Sequence, residues 1–304
     1  MKTPAQVRSV LDALGAMGYA EVELAGHYDL APAELRERLD AAGLRAVSGH
    51  AGFDVSDPDW DAYERELAAA AVLGQEYTGL PWWGGPYTEQ GFRLLAPRLD
   101  EAGARAARVG LRFFYHHHAF EFDSRDAAGR PLFDLLLAAT DPALVSFELD
   151  LYWITSAGFD PVPYLSRDPG RYPLFHVKDR ARTSRSGRED WEDAGAGTLD
   201  FRAIFAAGGG DKHYVIEHDD PFLSHRTTPK RRLPPRGRAS SSCRRSAGSA
   251  RGAPGRSRSS GPSPRSPSRP SRAAGGRTRR CPCSRVRRAR GPSGAPGRSH
   301  PGRA

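Results

Sequence analysis

Seven times in the first 220 residues, a stretch with helical apolar spacing is followed by a short apolar run of strand character. "PAQVRSVLDALGAMG" precedes "AEVELAG", and "APAELRERLDAAGL", with Pro32 near its first turn, precedes "RAVSGHAGF". "DPDWDAYERELAAAAVLG" leads to "QEYTGLPWW", and "GFRLLAPRLDEAGARAARVG", despite Pro97, leads to "LRFFYHHH". "PLFDLLLAATDP", "DPVPYLSRDPG" and "DFRAIFAAGGG" then lead to "LVSFELDLYW", "YPLFHVKD" and "HYVIEHDD". Units of about 25–40 residues repeating in this way imply a parallel sheet covered by helices. An open doubly wound sheet would carry a glycine-rich phosphate turn after an early strand, and none follows "AEVELAG". A (β/α)8 TIM barrel near the small end of its size range fits better.

The ends do not complete that pattern. The chain opens on a helix, so the first barrel strand is expected to be missing, and an arginine-rich segment stands where the last helix is expected. The net charge of +9 comes from that segment: residues 226–304 hold 23 Arg and Lys and no Asp or Glu. Upstream, 22 basic residues face 36 acidic ones, a net charge of −14. Two domains are therefore expected: residues 1–225 as the barrel, and 226–304 as a disordered Arg/Ser/Pro/Gly tail. The tail has the composition of GC-rich codons read out of frame, which favours a frameshift product over an RNA-binding arm. All three cysteines lie in the tail, so the acidic body is cysteine-free. That composition suits a cytoplasmic location. No apolar stretch approaches the ~20 residues of a membrane span. The acidic body argues against nucleic acid as a partner, except non-specifically through the tail.

In such a barrel the chemistry lies at the C-terminal ends of the strands. His50 falls there, as do His116, His118 and Glu121 of "FYHHHAFEF". So do Glu148 and Asp150, His176, Lys178 and Asp179, and finally Glu217 and Asp219. Strand alternation puts Glu148 with Asp150, His176 with Lys178, and Glu217 with Asp219 on common faces, while His117 turns outward to pack. Four consecutive strands ending in histidine or carboxylate would repel one another without a cation to collect them. The donor types suit a divalent ion: Mn, Mg, Co or Zn.

"YHHHAFEF", "ELDLYWITSAG", "PLFHVKD", "GAGTLDFRAIF" and "HYVIEHDDP", in this order, resemble the sugar phosphate isomerase/epimerase family of xylose isomerase-like TIM barrels. The resemblance runs from about Val7 to His225. It implies metal ligands Glu121, Asp150, His176 and Glu217, with His116 and His118 close enough to take the first place instead. It also implies proton abstraction beside a carbonyl through a metal-stabilised enediolate. Glu121 and Glu217 are the expected acid–base pair and His118 the substitute base. His50, His116, Trp153 and Lys178 are expected to contact substrate, Lys178 having a salt bridge to Asp179 or Glu217 as its alternative. Trp82 and Trp83 are expected to wall the pocket or pack at its rim. Ketose epimerases of this group carry a histidine three positions after the aspartate, where this chain has Trp153. That departure keeps a keto-sugar lyase, similar to inosose dehydratase, beside the isomerase. An endonuclease-like barrel ranks lower. The expected partner is a small sugar or keto-sugar, and a homo-oligomer stays open.

Overall fold

The computed structural model describes residues 3–182 and 190–219. The chain begins α1 (Pro4–Met17), β1 (Glu21–Leu24), α2 (Pro32–Ala41), β2 (Arg45–His50), α3 (Trp60–Leu73) and β3 (Tyr77–Leu80). It continues α4 (Glu89–Arg108), β4 (Arg112–His116), α5 (Phe120–Asp123), α6 (Leu132–Ala139), β5 (Val145–Asp150), α7 (Leu151–Ser156) and α8 (Pro161–Arg167). After β6 (Leu174–Val177) come β7 (Asp179–Arg180), β8 (Trp191–Glu192), α9 (Phe201–Gly208) and β9 (His213–Ile216). All seven expected strands are present and form one parallel sheet in the order β1-β2-β3-β4-β5-β6-β9. The sheet curls into a nearly closed barrel. His213 Nδ1 on β9 lies 2.8 Å from Glu21 Oε2 on β1, although no strand ladder joins the two among the described residues.

Local chemistry accounts for the helix limits. Thr3, Asp59 and Thr88 cap α1, α3 and α4 by accepting a backbone N–H, and Gly18 and Gly74 close α1 and α3 in the left-handed conformation. Pro97 lies inside α4 on its exposed side. The lost backbone bond is offset by burial of Phe92, Leu95, Leu99, Ala102 and Ala106 on the opposite face. Strand parity then divides the side chains. Phe113, Tyr115, Phe147, Leu149, Phe175 and Val177 pack outward in the helix-facing core. Phe114 and Leu174 turn inward and, with Val47 and Tyr77, floor the barrel. Gly79 leaves room for that floor, since a Cβ there would stand 2.6 Å from the Phe114 ring. Two residues beyond Phe114 and Leu174, His116 and His176 begin a polar inward layer.

The structure differs from expectation after β4. The strand stops at His116, and Ala119 accepts from the N–H groups of Phe122 and Asp123 to open the helical turn α5. The small antiparallel pair β7–β8, which follows β6, was also not expected from the sequence. The arginine-rich segment and the place of an eighth helix lie outside the described residues.

Candidate active site

The inward layer above the floor is built by adjacent strand ends. Glu23 comes from β1, Ser48 and His50 from β2, His116 from β4, Glu148 and Asp150 from β5, and His176 from β6. Lys178, Glu217 and Asp219 follow β6 and β9. A cavity of about 310 Å³ opens above them, walled by Pro81, His118, Trp153 and Val215 as well.

Two ligand-bearing groups meet there. In the first, His116, Asp150 and His176 each offer an atom within 4.8 Å of the others. Asp150 Oδ2 stands 3.6 Å from His176 Nδ1 and 4.0 Å from His116 Nε2, and Glu217 Oε2 lies 3.9 Å from His176 Nδ1. These separations are too long for hydrogen bonds, and buried Asp150 Oδ2 and His176 Nδ1 make none. Donors about 2.0–2.2 Å from one cation stand roughly 3–4 Å from each other, so the atoms of His116, Asp150 and His176 suit a divalent ion, with Glu217 at their edge and in contact with Lys178. The other nitrogen of each imidazole is anchored by a carboxyl group, as metal-binding histidines commonly are. His176 Nε2 lies 2.9 Å from Glu23 Oε1, and His116 Nδ1 lies 2.9 Å from Glu148 Oε2.

The second group, Glu23, His50 and Glu148, sits beside the first. Glu23 takes bonds from Ser48 Oγ at 2.6 Å and His50 Nε2 at 3.0 Å as well as from His176. Burial alone would raise the Glu23 carboxyl, but His176 and His50 outweigh it and hold it well below the usual range. Glu148 goes the other way: burial and the charge of Glu23 push it well above. His176 resists its burial because Glu148 and Glu23 face it, and its pKa is raised. Burial also favours the neutral state of Lys178, yet Asp150, Glu217 and Asp219 surround its ammonium and raise it. The ammonium lies 3.3 Å from Asp150 Oδ2, 2.5 Å from Asp219 Oδ2 and in contact with Glu217. Burial lowers His118 to about 4, which leaves a neutral imidazole on the cavity wall at pH 7.

The structure thus brings Asp150, His176 and Glu217 together and lines the cavity with His50, His116, His118, Trp153 and Lys178. Glu121 is placed elsewhere. Because α5 follows a strand that has already ended, its carboxylate turns away to accept from Tyr115 Oη at 2.7 Å and the His118 N–H at 2.9 Å. His116 stands where Glu121 was expected. Trp83 is buried against Phe92 and Tyr87, while Trp82 is exposed over a neighbouring groove, so neither walls this cavity. Lys178 pairs with Glu217 and Asp219 rather than Asp179, which faces the other way. Two central residues, Glu23 and Glu148, had no assigned role in the sequence reading. Their signal was parity: Glu148 precedes Asp150 by two, and Glu21 and Glu23 share one face of "EVEL".

Glu121 carries a pH prediction of its own. Burial raises it to about 8, offset only in part by Tyr115 and the His118 N–H. A carboxyl raised in the folded state stabilises fully below its unfolded pKa, near 4.5, and that stability is lost as pH rises through the folded value. The interval corresponds to roughly 4–5 kcal/mol at most. Urea unfolding from pH 5 to 8.5 is therefore expected to show falling stability in the wild type and a flatter profile in Glu121→Gln. Parallel profiles would exclude this burial effect.

A parallel barrel with imidazoles and carboxylates gathered at its strand ends defines a class of barrel enzymes. The chain belongs to the xylose isomerase-like TIM barrel family, which matches residues 11–207. It is 24% identical to an inosose dehydratase of Lacticaseibacillus casei, over 69% of this chain and 82% of that protein. Among solved structures it is similar to a sugar phosphate isomerase/epimerase from Parabacteroides distasonis. Identity there is 25% and the TM-score 0.57, covering 72% of this chain and 86% of the other. The fold also matches the IolI protein, solved with a zinc atom, at 14% identity and a TM-score of 0.57, over 74% and 87% of the two chains. No helix among the described residues is long and apolar enough to cross a membrane.

Proposed function

We propose that this chain is a divalent-metal-dependent lyase that removes the proton beside the carbonyl of a small keto-polyol and expels a neighbouring hydroxyl as water. The observation that carries this reading is the set of buried ligand atoms from His116, Asp150 and His176, with Glu217 at its edge. A divalent cation held there supplies Lewis-acid polarisation of a carbonyl and its neighbouring hydroxyl. The name of the curated relative, and the zinc atom in the structure of the IolI protein, support the same assignment.

The chain's own residues divide the remaining work. His118, kept neutral by burial, is suited to accept the proton from carbon. His50 lines the cavity with its Nε2–H held by Glu23. Entering as an imidazolium, it would give its second ring proton to the departing hydroxyl, so that water leaves, His50 ends neutral and His118 holds the proton from carbon. Lys178 holds Asp150, Glu217 and Asp219 in one cluster. Its ammonium is the one Lys or Arg among the described lining residues, and three carboxylates already face it. An uncharged substrate suits such a wall better than a phosphate ester, which would meet further carboxylates. Likeness to the Parabacteroides distasonis protein favours isomerase or epimerase chemistry as the second reading, which begins with the same proton abstraction.

The test is to incubate the manganese-loaded protein with inososes, ketoses and ketose phosphates in deuterated water. Deuterium uptake beside the carbonyl is expected with a neutral keto-polyol. Formation of an unsaturated or diketo product marks the lyase, and a rearranged sugar marks the isomerase. No exchange with any ketone would sink both readings.

Trp153 tests the substrate pocket separately. Its indole lies on the cavity wall, 5.4 Å from the His118 ring by centroid and 5.5 Å from Lys178 Nζ. Stacking on a sugar ring contributes on the order of 1–3 kcal/mol. Trp153→Ala is expected to raise KM by about tenfold or more while cation affinity stays within about twofold. An unchanged KM for every accepted substrate would make Trp153 a packing residue.

A further inference from the structure

His117 lies next to two cavity residues yet points away from the cavity, fully buried between Phe122 and Phe133. Neither ring nitrogen is free. The His118 carbonyl can only accept, so Nδ1 carries the proton that reaches it at 3.0 Å. The Asp150 backbone N–H can only donate, so Nε2 is bare and accepts at 3.1 Å. These two bonds select one neutral tautomer.

The position of that second bond matters. β4 ends at His116, paired with Glu148, whereas β5 runs two residues further to Asp150. The Asp150 N–H therefore passes beyond the last rung of the β4 ladder, and the imidazole supplies the acceptor. The Asp150 side chain is half committed as well: Oδ1 caps α7 by accepting from the Trp153 N–H at 2.9 Å, which leaves Oδ2 for the cavity.

We propose that His117 is a positioning residue: its bare Nε2 extends the β4–β5 ladder by one rung and holds Asp150 so that Oδ2 faces the cation site. The inference rests on the reading of Asp150 as a cation ligand. It assigns to His117 a role that packing between two aromatic rings does not require, and packing alone was the sequence expectation.

The test compares three variants of the full chain by calorimetry with Mn(II). His117→Ala is expected to weaken binding by about tenfold or more, the range seen when groups that orient metal ligands are removed. His117→Gln, whose Oε1 can accept near the place of Nε2, is expected to recover most of that loss. Phe133→Leu, which disturbs the same aromatic box without touching Asp150, is expected to lower the melting temperature and leave affinity within about twofold. Wild-type affinity in His117→Ala, or an equal loss in Phe133→Leu, would overturn the proposal. Ring-nitrogen spectra of the wild type give a readout that needs no metal and no alanine variant. They should show Nδ1 protonated and Nε2 accepting, and the opposite tautomer would overturn the proposal. If the wild type binds no Mn(II), the cation-site reading fails. The ladder is then judged by Asp150 amide exchange in His117→Gln and His117→Ala: slow in the first and fast in the second supports it, and equal rates overturn it.

Discussion

Asp150→Asn is expected to weaken divalent-cation binding by more than about a hundredfold and to remove turnover with it. Groups that merely orient a ligand cost about 10–100-fold when lost, and Asp150 is read here as a ligand. Its Oδ2 lies 3.6 Å from His176 Nδ1 and 4.0 Å from His116 Nε2, and it also faces Lys178. Burial opposes its ionisation, but Lys178 and His176 outweigh that and hold the carboxyl well below the usual range. A carboxylate is therefore present at every pH at which the protein would be assayed. Asparagine is the sharper probe, because its amide oxygen can still cap α7 through the Trp153 N–H. Alanine would add the loss of that cap, about 0.5–2 kcal/mol of stability, and blur the result. Glu89→Ala, which breaks a surface pair with Arg93, should leave affinity unchanged. Equal Mn(II) affinity in wild type and Asp150→Asn, by calorimetry, would remove Asp150 from the ligand set.

The residues that could and could not be read in advance have physical reasons. Strand order was legible because each helix ends in a clear stop, as at Gly18 and Gly74, before an apolar run too short to be a helix. Asp150 and His176 were legible because both stand on strands long enough for parity to hold. Glu121 was misplaced because the resemblance assigns the first ligand to the end of a strand, and β4 has already ended at His116, five residues earlier. No glycine, proline or capping side chain marks the change, and α5 has no side-chain cap at all. Glu23 read as one of two acidic residues on a short strand. Only closure of the barrel, which brings β1 to within 2.9 Å of His176, makes it the anchor of a ligand. The β7–β8 pair was missed because its organiser, Asp179, reads as half of a Lys–Asp pair.

Asp179→Ala is expected to lower stability by roughly 3 kcal/mol or more, although Asp179 does not line the cavity and Lys178 pairs with Glu217 and Asp219 instead. Its buried carboxylate accepts five backbone N–H groups: Arg180 at 2.7 Å, Gly195 at 3.0 Å, Gly197 at 2.9 Å, Thr198 at 3.0 Å and Leu199 at 3.1 Å. The turn of residues 195–199 is wrapped around it so closely that a Cβ on Gly197 would lie 2.3 Å from Asp179 Oδ1 and 2.2 Å from the Arg180 carbonyl. Hydrogen bonds to a charged group contribute about 1.5–3 kcal/mol each when buried, but water can reach this turn, so the sum is discounted. Asp179→Asn is expected to be no milder than alanine, because its NH2 must face N–H donors that have nothing to accept. Urea unfolding of both variants checks the size of the effect, and a loss below about 1 kcal/mol in either would exclude this role. A double-mutant cycle checks the direction of Asp179. Lys178 and Asp179 should show no coupling beyond additivity, whereas Lys178 and Glu217, which touch, should couple strongly. Coupling of the first pair and not the second would mean that Asp179 turns inward and that the turn is held by something else.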